Sequence, residues 1–385
     1  MKFIALAIVA TLAYINLAIA QNPITGADST FRPITTAVPF LTISPDARHA
    51  ALGDAGAATS SDANAAYWNP AKLVFIEKSY GGAVSYTPWL GKIINDMWIS
   101  YLSGFYKITR EQAVGFGFKY FDLGDIFFRD VLNEPLGDFN PRELSLDFTY
   151  SRLLTEQFSV GLTGRYVHSN LTGSFSNNGV DAQPGNSVAA DIGVYYTKPL
   201  KGAKTNSLSM AAVISNIGAK LTYSDNDNKD FLPTNLRVGA AYTTELDPFN
   251  SFTFVMDFNK LMAPSPDEDN NIPDKSLLGG MFGSFSDAPD GFSEEIKEVI
   301  VNMGIEYWYK QTFAGRFGYF SESKEKGNRK YMTLGVGFRK DRFGFDVAYL
   351  VPTNGRENPL AETVRFSLLF QIKAEENQES VTDPN

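Results

Sequence analysis

Fourteen segments of about ten residues each alternate apolar and polar side chains, and the connections between them are short and long by turns. In 330–340, Met332, Leu334, Val336 and Phe338 point one way while Tyr331, Thr333, Gly335, Gly337 and Arg339 point the other. In 362–373, Val364, Phe366, Leu368, Phe370 and Ile372 oppose Thr363, Arg365, Ser367 and Gln371. Strand side chains change face with a period of two, so each segment has one apolar and one polar side. The expected strands are 80–89, 96–106, 111–121, 142–152, 157–168, 187–198, 207–216, 234–246, 252–260, 299–309, 312–322, 330–340, 342–351 and 362–373.

A water-soluble barrel or sandwich carries the same pattern with its apolar face turned inward. Three features favour a bilayer. The segments have the nearly uniform length that tilted strands need to span a membrane core. Their apolar sides place aromatics near the ends, as in Phe313, Phe317 and Tyr319 or Phe116, Phe118 and Tyr120. Their polar sides mix glycine with charge, which suits a crowded lumen. Connections after even-numbered segments are short, such as Lys310-Gln311 and Lys340-Asp341, whereas 122–141, 169–186, 217–233 and 261–298 are long. Short periplasmic turns and long outer loops are the mark of a bacterial outer-membrane barrel, with both ends of the chain in the periplasm.

The opening residues Met1-Lys2-Phe3, the apolar run to Leu17 and Ala18-Ile19-Ala20 read as a secretory signal peptide over 1–20, cut after Ala20. No later stretch is long and apolar enough for a transmembrane helix. Cysteine is absent and the net charge is −9, which excludes thiolate chemistry and disfavours nucleic acid as a partner. Residues 21–76 form a lead and a plug for the lumen, 77–373 the barrel, and 374–385 a polar periplasmic tail. Within the plug, Ser44-Pro45-Asp46 starts a helix over 46–52 that stops at Gly53, and a second helix over 62–67 ends before Asn69-Pro70-Ala71. The longest loop, 261–298, divides into an acidic, proline-rich half and an apolar half with Leu277, Leu278, Met281, Phe282, Phe285 and Phe292. That apolar half either packs on the barrel rim or meets a partner.

The two histidines, His49 and His168, lack metal-ligand spacing, and no hydrolase or phosphate-loop motif occurs. Asp267-x-Asp269-x-Asn271 departs from a calcium loop at Ile272 and Leu278 and reads as a solvated acidic loop. No metal and no cofactor is expected. The polar strand faces carry Lys119, Arg165, Arg237, Arg316, Arg339 and Arg365 against Asp147, Asp191, Asp257, Glu306 and Asp346. Charges on a lipid face cost about 2–4 kcal/mol at the midplane, so these point inward and form a structural lumen network.

The plug carries a resemblance. Gly53-Asp54-Ala55-Gly56-Ala57-Ala58, Ser61-Asp62-Ala63-Asn64-Ala65-Ala66 and Trp68-Asn69-Pro70-Ala71-Lys72-Leu73 resemble the hatch of FadL-type outer-membrane proteins, which are fourteen-stranded barrels. Residues 34–41, Ser44-Pro45-Asp46-Ala47-Arg48 and Ser85-Tyr86-Thr87-Pro88-Trp89 narrow it. So do 283–289, Glu306-Tyr307-Trp308-Tyr309 and 326–331. Together these resemble the PorV family of the Bacteroidetes type IX secretion system, over about 34–372.

The resemblance implies a non-enzymatic outer-membrane protein in outer-membrane lipid. It implies binding of cargo proteins through their C-terminal signal domains at a translocon barrel of the Sov or SprA type. It also implies their handover to the complex containing a PorU-type sortase. An outer loop of such proteins reaches into the translocon, and the apolar half of 261–298 is the candidate. The alternative is a FadL-like transporter of fatty acids or other hydrophobic small molecules. Lipid A deacylation has also been attached to the family, yet no nucleophile–base arrangement is readable.

Overall fold

The computed structural model describes residues 31–372 apart from 91–95, 130–132, 172, 174–175, 178–179, 201–205, 225–228 and 354–362. The signal peptide, most of the lead and the C-terminal tail lie outside the described residues.

The alternating segments form fourteen strands, numbered here β1 to β14: Tyr80–Pro88, Trp98–Thr109, Gln112–Asp122, Arg142–Thr155, Phe158–Asn170, Gly185–Leu200, Asn206–Gly218, Asn235–Asp247, Asn250–Leu261, Ile300–Tyr309, Phe313–Ser321, Lys330–Lys340, Phe343–Pro352 and Val364–Ile372. Each pairs antiparallel with its neighbours in sequence, and β1 also pairs with β14, from Tyr80 opposite Ile372 to Tyr86 opposite Phe366. The sheet is thus a closed barrel without an edge. Several strands run a few residues past their expected ends, to Thr109, Thr155 and Asn170. Backbone pairing continues there through polar residues that no longer alternate. A small hairpin, Ile126–Arg129 with Pro135–Phe139, sits within the third connection.

Burial alternates along the strands in the sense the sequence predicts. Tyr331 and Thr333 are buried while Met332, Leu334, Val336 and Phe338 are exposed. The same outward exposure marks Phe116's partner Phe148, Leu162, Val188, Phe254 and Phe345, so apolar side chains from strands all around the barrel face outward. In water such a surface would be an aggregation liability; in a bilayer it is the solvent-matched face.

Residues 32–76 contact the inward faces of many strands. The segment has a 3-10 turn at Pro39–Thr42, the helices α1 (Ala47–Ala50) and α2 (Ala65–Trp68), and a 3-10 helix at Pro70–Phe75. Both helices are shorter than expected. Asp46 caps α1 through the His49 N–H, and Gly53 in the left-handed region turns the chain away. The Asp62 carboxylate accepts from the Asn64 N–H at 2.8 Å, which holds 62–64 as a turn ahead of α2.

Wall glycines let the segment approach closely. A Cβ on Gly318 would lie 2.0 Å from the Gly53 nitrogen, and one on Gly161 would lie 2.3 Å from the Ala71 nitrogen. Backbone therefore meets backbone at these points, which only glycine permits.

Candidate functional site

Two regions carry the chain's distinctive chemistry: the charged lumen and the loop between β9 and β10. In the lumen, the expected charged residues all face inward but form separate groups rather than one network. Arg48 of α1 reaches Glu306 with its Nε at 2.9 Å and its Nη2 at 2.8 Å, and Asp62 with its Nη1 at 2.9 Å. Glu306 also accepts from Arg316, directly opposite in the β10–β11 ladder, at 2.7 Å. Arg316 continues to Asp346 at 2.8 Å, which Arg339 meets at 2.6 Å. A second group centres on Arg165, which bonds Asp147 at 2.7 Å, Asp191 at 3.0 Å and the Asn216 amide oxygen.

The other four lumen charges serve neutral groups, which corrects the expectation of mutual pairing. Lys119 donates to the carbonyls of Phe40 and Ile43, at 2.7 and 2.5 Å. Arg365 donates to the Ser44 carbonyl at 2.6 Å, with Asp54 farther off at 3.8 Å. Asp257 accepts the N–H groups of Gly56 and Ala57 at 2.7 and 2.8 Å. Arg237 donates to Asn259 at 2.6 Å and lies over the Trp68 ring at 4.7 Å. Every one of these contacts either joins the 32–76 segment to the wall or braces the wall beside it.

Asn69, Pro70 and Ala71 sit at the junction of α2 and the second 3-10 helix. Asn69 accepts from the Ala71 N–H at 2.9 Å and donates to the Val194 carbonyl at 3.1 Å. The Ala71 carbonyl accepts from Ser151 and Ser159, at 3.0 and 2.6 Å.

One arrangement was not legible in the sequence. Asp46 meets His49 Nδ1 at 2.8 Å, His49 Nε2 meets the Thr59 hydroxyl at 2.9 Å, and Lys72 Nζ donates to that hydroxyl at 2.7 Å. The order carboxylate, imidazole, hydroxyl has the form of a nucleophile relay. Thr59 is 1% exposed and its three partners are fully buried, so no substrate atom has room to reach the hydroxyl. The chain is internal bracing. Burial pushes the Lys72 amine down to about 7, against the pull of Asp62. The Asp62 carboxyl stays well below the carboxylate range: Arg48, His49 and Lys72 outweigh the opposing effect of burial.

The β9–β10 loop folds into two helices, α3 (Leu277–Gly283) and α4 (Phe292–Lys297). Ser276 caps α3 by accepting from the Gly279 N–H at 3.2 Å. Glu294, Glu295 and Glu298, in and just after α4, are buried against cations from three other parts of the chain. Arg32 meets Glu294 at 2.9 Å, Lys260 pairs with Glu295 and Glu298, and Lys326 meets Glu294 at 2.5 Å and Glu298 at 3.0 Å.

The opposite side of the loop is apolar and open. Leu278 is 61%, Phe282 65% and Phe292 78% exposed, with Phe285 and Ile296 also exposed. Met281, at 2%, is buried, and Leu277 is half-buried, so these two do not belong to the presented face. Asp267 in the acidic half accepts from the N–H groups of Asp269 and Asn271, at 2.9 and 2.8 Å, closing its loop on itself.

Residues 26–268 match the family described as type IX secretion system protein PorV. The chain belongs to the PorV family. No curated protein matches it significantly in sequence. Among solved structures, the CymD monoaromatic hydrocarbon channel is similar with a TM-score of 0.51 at 12% identity, covering 86% of this chain and 98% of its own. The Ralstonia pickettii toluene transporter TbuX gives 0.48 at 12% identity, covering 86% and 99%. A Pseudomonas aeruginosa FadL homologue gives 0.46 at 12%, covering 88% and 99%. These likenesses bear on the fold: a FadL-like outer-membrane barrel. Family and fold are those of secretion and transport barrels rather than of enzymes. The PorV match takes in the lumen segment and β1 to β9 and ends ahead of α3, so the exposed loop helices lie beyond it.

Proposed function

We propose that this PorV-family barrel binds cargo C-terminal signal domains at the type IX translocon and passes them to the sortase and attachment complex. In this reading the long loops face outward and the short turns face the periplasm. Segment 32–76 is a fixed hatch. The apolar face of α3 and α4 is the contact surface for the translocon barrel or the arriving cargo.

The observation that carries this is the pairing of an exposed apolar face with a buried ionic base on one loop. Leu278, Phe282 and Phe292 are held out while three carboxylates behind them are pinned. Loop side chains merely packing on the rim would be covered. A preorganised apolar face loses little entropy on docking. The reading that the barrel passes hydrophobic small molecules is less well supported, because the ion pairs and backbone contacts of 32–76 oppose its displacement.

The test is Leu278→Ala with Phe282→Ala in the native host. Truncating apolar anchors often costs above about 1 kcal/mol each at an interface. Barrel abundance should stay unchanged while co-purified translocon and surface-displayed cargo fall. Full translocon recovery and full cargo display would overturn the reading. A defect confined to uptake of hydrophobic compounds would replace it with the transporter.

A further inference from the structure

At the long-loop end of the lumen, above the 32–76 segment, lies a cavity of about 340 Å³. Its wall carries three guanidinium groups, from Arg237, Arg329 and Arg365, and a single carboxylate, Asp54. The carboxylate is engaged already, accepting from the Tyr331 hydroxyl at 2.6 Å. Arg329 is paired with Glu322 at 2.8 and 2.9 Å, and Arg365 holds the Ser44 carbonyl. Arg237 differs. Its Nε is bonded to Asn259 and its plane rests on Trp68, but it has no ion-pair partner among the described residues. Ser44, on the same wall, is buried with a hydroxyl that has no hydrogen-bond partner among the described residues. The rest of the wall includes Ile43, Trp68, Ile300, Phe320 and Leu350.

We propose that this cavity binds a compact organic anion, a carboxylate or phosphate group carried on a short apolar body. Arg237 would take the charge with its free Nη groups, the Ser44 hydroxyl would donate to a second oxygen, and the aromatic wall would cover the body. The argument is one of unmet demand. Arginine elsewhere in this lumen meets a carboxylate or a carbonyl at close range, and a cation left without either in an apolar cleft is costly. Guanidinium is suited to planar or tetrahedral oxyanions, which it meets with paired N–H groups. A neutral hydrocarbon would fill the volume but leave both the guanidinium and the hydroxyl desolvated and unpaired. The volume, near the lower end for ligand pockets, excludes a long acyl chain. This site is independent of the docking face on α3 and α4, so either proposal stands or falls alone.

The experiment uses the full-length protein in detergent, titrated with benzoate, phenyl phosphate, toluene and inorganic phosphate. Tryptophan fluorescence reports occupancy, since Trp68 and Trp89 line the cavity, and calorimetry checks it. The expected result is saturable binding of benzoate or phenyl phosphate, at least tenfold tighter than toluene and weakened by salt. The tighter of the two anions assigns the headgroup. Arg237→Gln should weaken binding tenfold or more and Arg237→Lys less. If Arg237→Gln fails to assemble, Arg329→Gln, at the solvent edge of the same cavity, should still lower anion affinity severalfold. Toluene binding as well as the anions would overturn the charge recognition. Inorganic phosphate binding as well as phenyl phosphate would overturn the apolar body. Absence of any anion binding would overturn the site.

Discussion

The lumen segment and the β9–β10 loop are built from the same means and put to opposite ends. Both are short-helical stretches tied to the barrel by buried ion pairs: Arg48 with Glu306 and Asp62 in one, and Glu294, Glu295 and Glu298 with Arg32, Lys260 and Lys326 in the other. In the lumen segment nearly every side chain is then covered, the cations included. In the loop the ionic face is covered and the apolar face is left open. Polar inside and apolar outside, on the solvent side of the rim, is the reverse of a stable free surface. The contrast separates a part built to stay from a part built to meet something.

The sharpest way to break the lumen half is Arg165→Met. It strands Asp147 and Asp191 in the wall, and breaking a buried pair costs about 3–5 kcal/mol. The variant should assemble poorly, read as lost heat-modifiability on gels. Adding Asp191→Asn should recover part of the loss. Next is Gly318→Val, whose Cβ would sit 2.0 Å from the Gly53 nitrogen. Overpacking of this kind costs typically about 1–3 kcal/mol, and protease sensitivity of the 32–76 segment should rise. The companion Gly315→Val, on the same strand, meets nothing within 4 Å and should change little. Equal effects at both positions would mean that the close wall contact is not what holds the segment.

On the loop side, Glu298→Gln removes a carboxylate that two lysines share. The loop should loosen by about 1–3 kcal/mol of local stability, seen as faster amide exchange across α4, while the barrel itself stays intact. Partner recovery should fall although no exposed apolar residue has changed. Unchanged recovery would show that pinning does not matter to docking.

The smallest effect is in the lumen segment again. Lys72 is held down to about 7 by burial, against its ordinary 10.5. Between those values the unfolded chain binds a proton that the folded chain lacks, so stability rises with pH across about 7 to 10.5 by up to ~1.4 kcal/mol per unit from this group. Lys72→Met should flatten that stretch of the pH–stability curve, and an unchanged slope would place the amine in a wetter setting.

The barrel was legible because a bilayer imposes its pattern on every strand. Outward residues must be apolar, inward ones are free, and the period follows. The inward charges were also legible as such, since Asp147 and Arg165 have no acceptable outward place. Their partners were not. Arg48 finds Glu306 across 258 positions, and strand register alone does not reveal what a plug residue will touch. The relay through Asp46, His49 and Thr59 was hidden for the same reason. In the loop, Met281 could not be sorted from Phe282 by pattern, because a helix of seven residues is too short for a stripe to emerge. The carboxylates of α4 read as ordinary solvated charge until their cations arrived from three distant places.

The Ala47 N–H donates to the Ser367 hydroxyl at 2.9 Å, and that hydroxyl also meets Ser85 across the β1–β14 seam at 2.7 Å. The first ordered helix of the chain thus rests on its last strand, 320 positions away. That gives folding a timetable. The segment synthesised earliest gains its final anchor only when the strand synthesised last joins the sheet. Contacts at such separation form late and slowly. Until then the glycine-lined wall has nothing to receive and the seam has nothing to rest on. Sealing the cylinder and seating its contents therefore become one concluding event, and a chain halted before β14 would leave both undone.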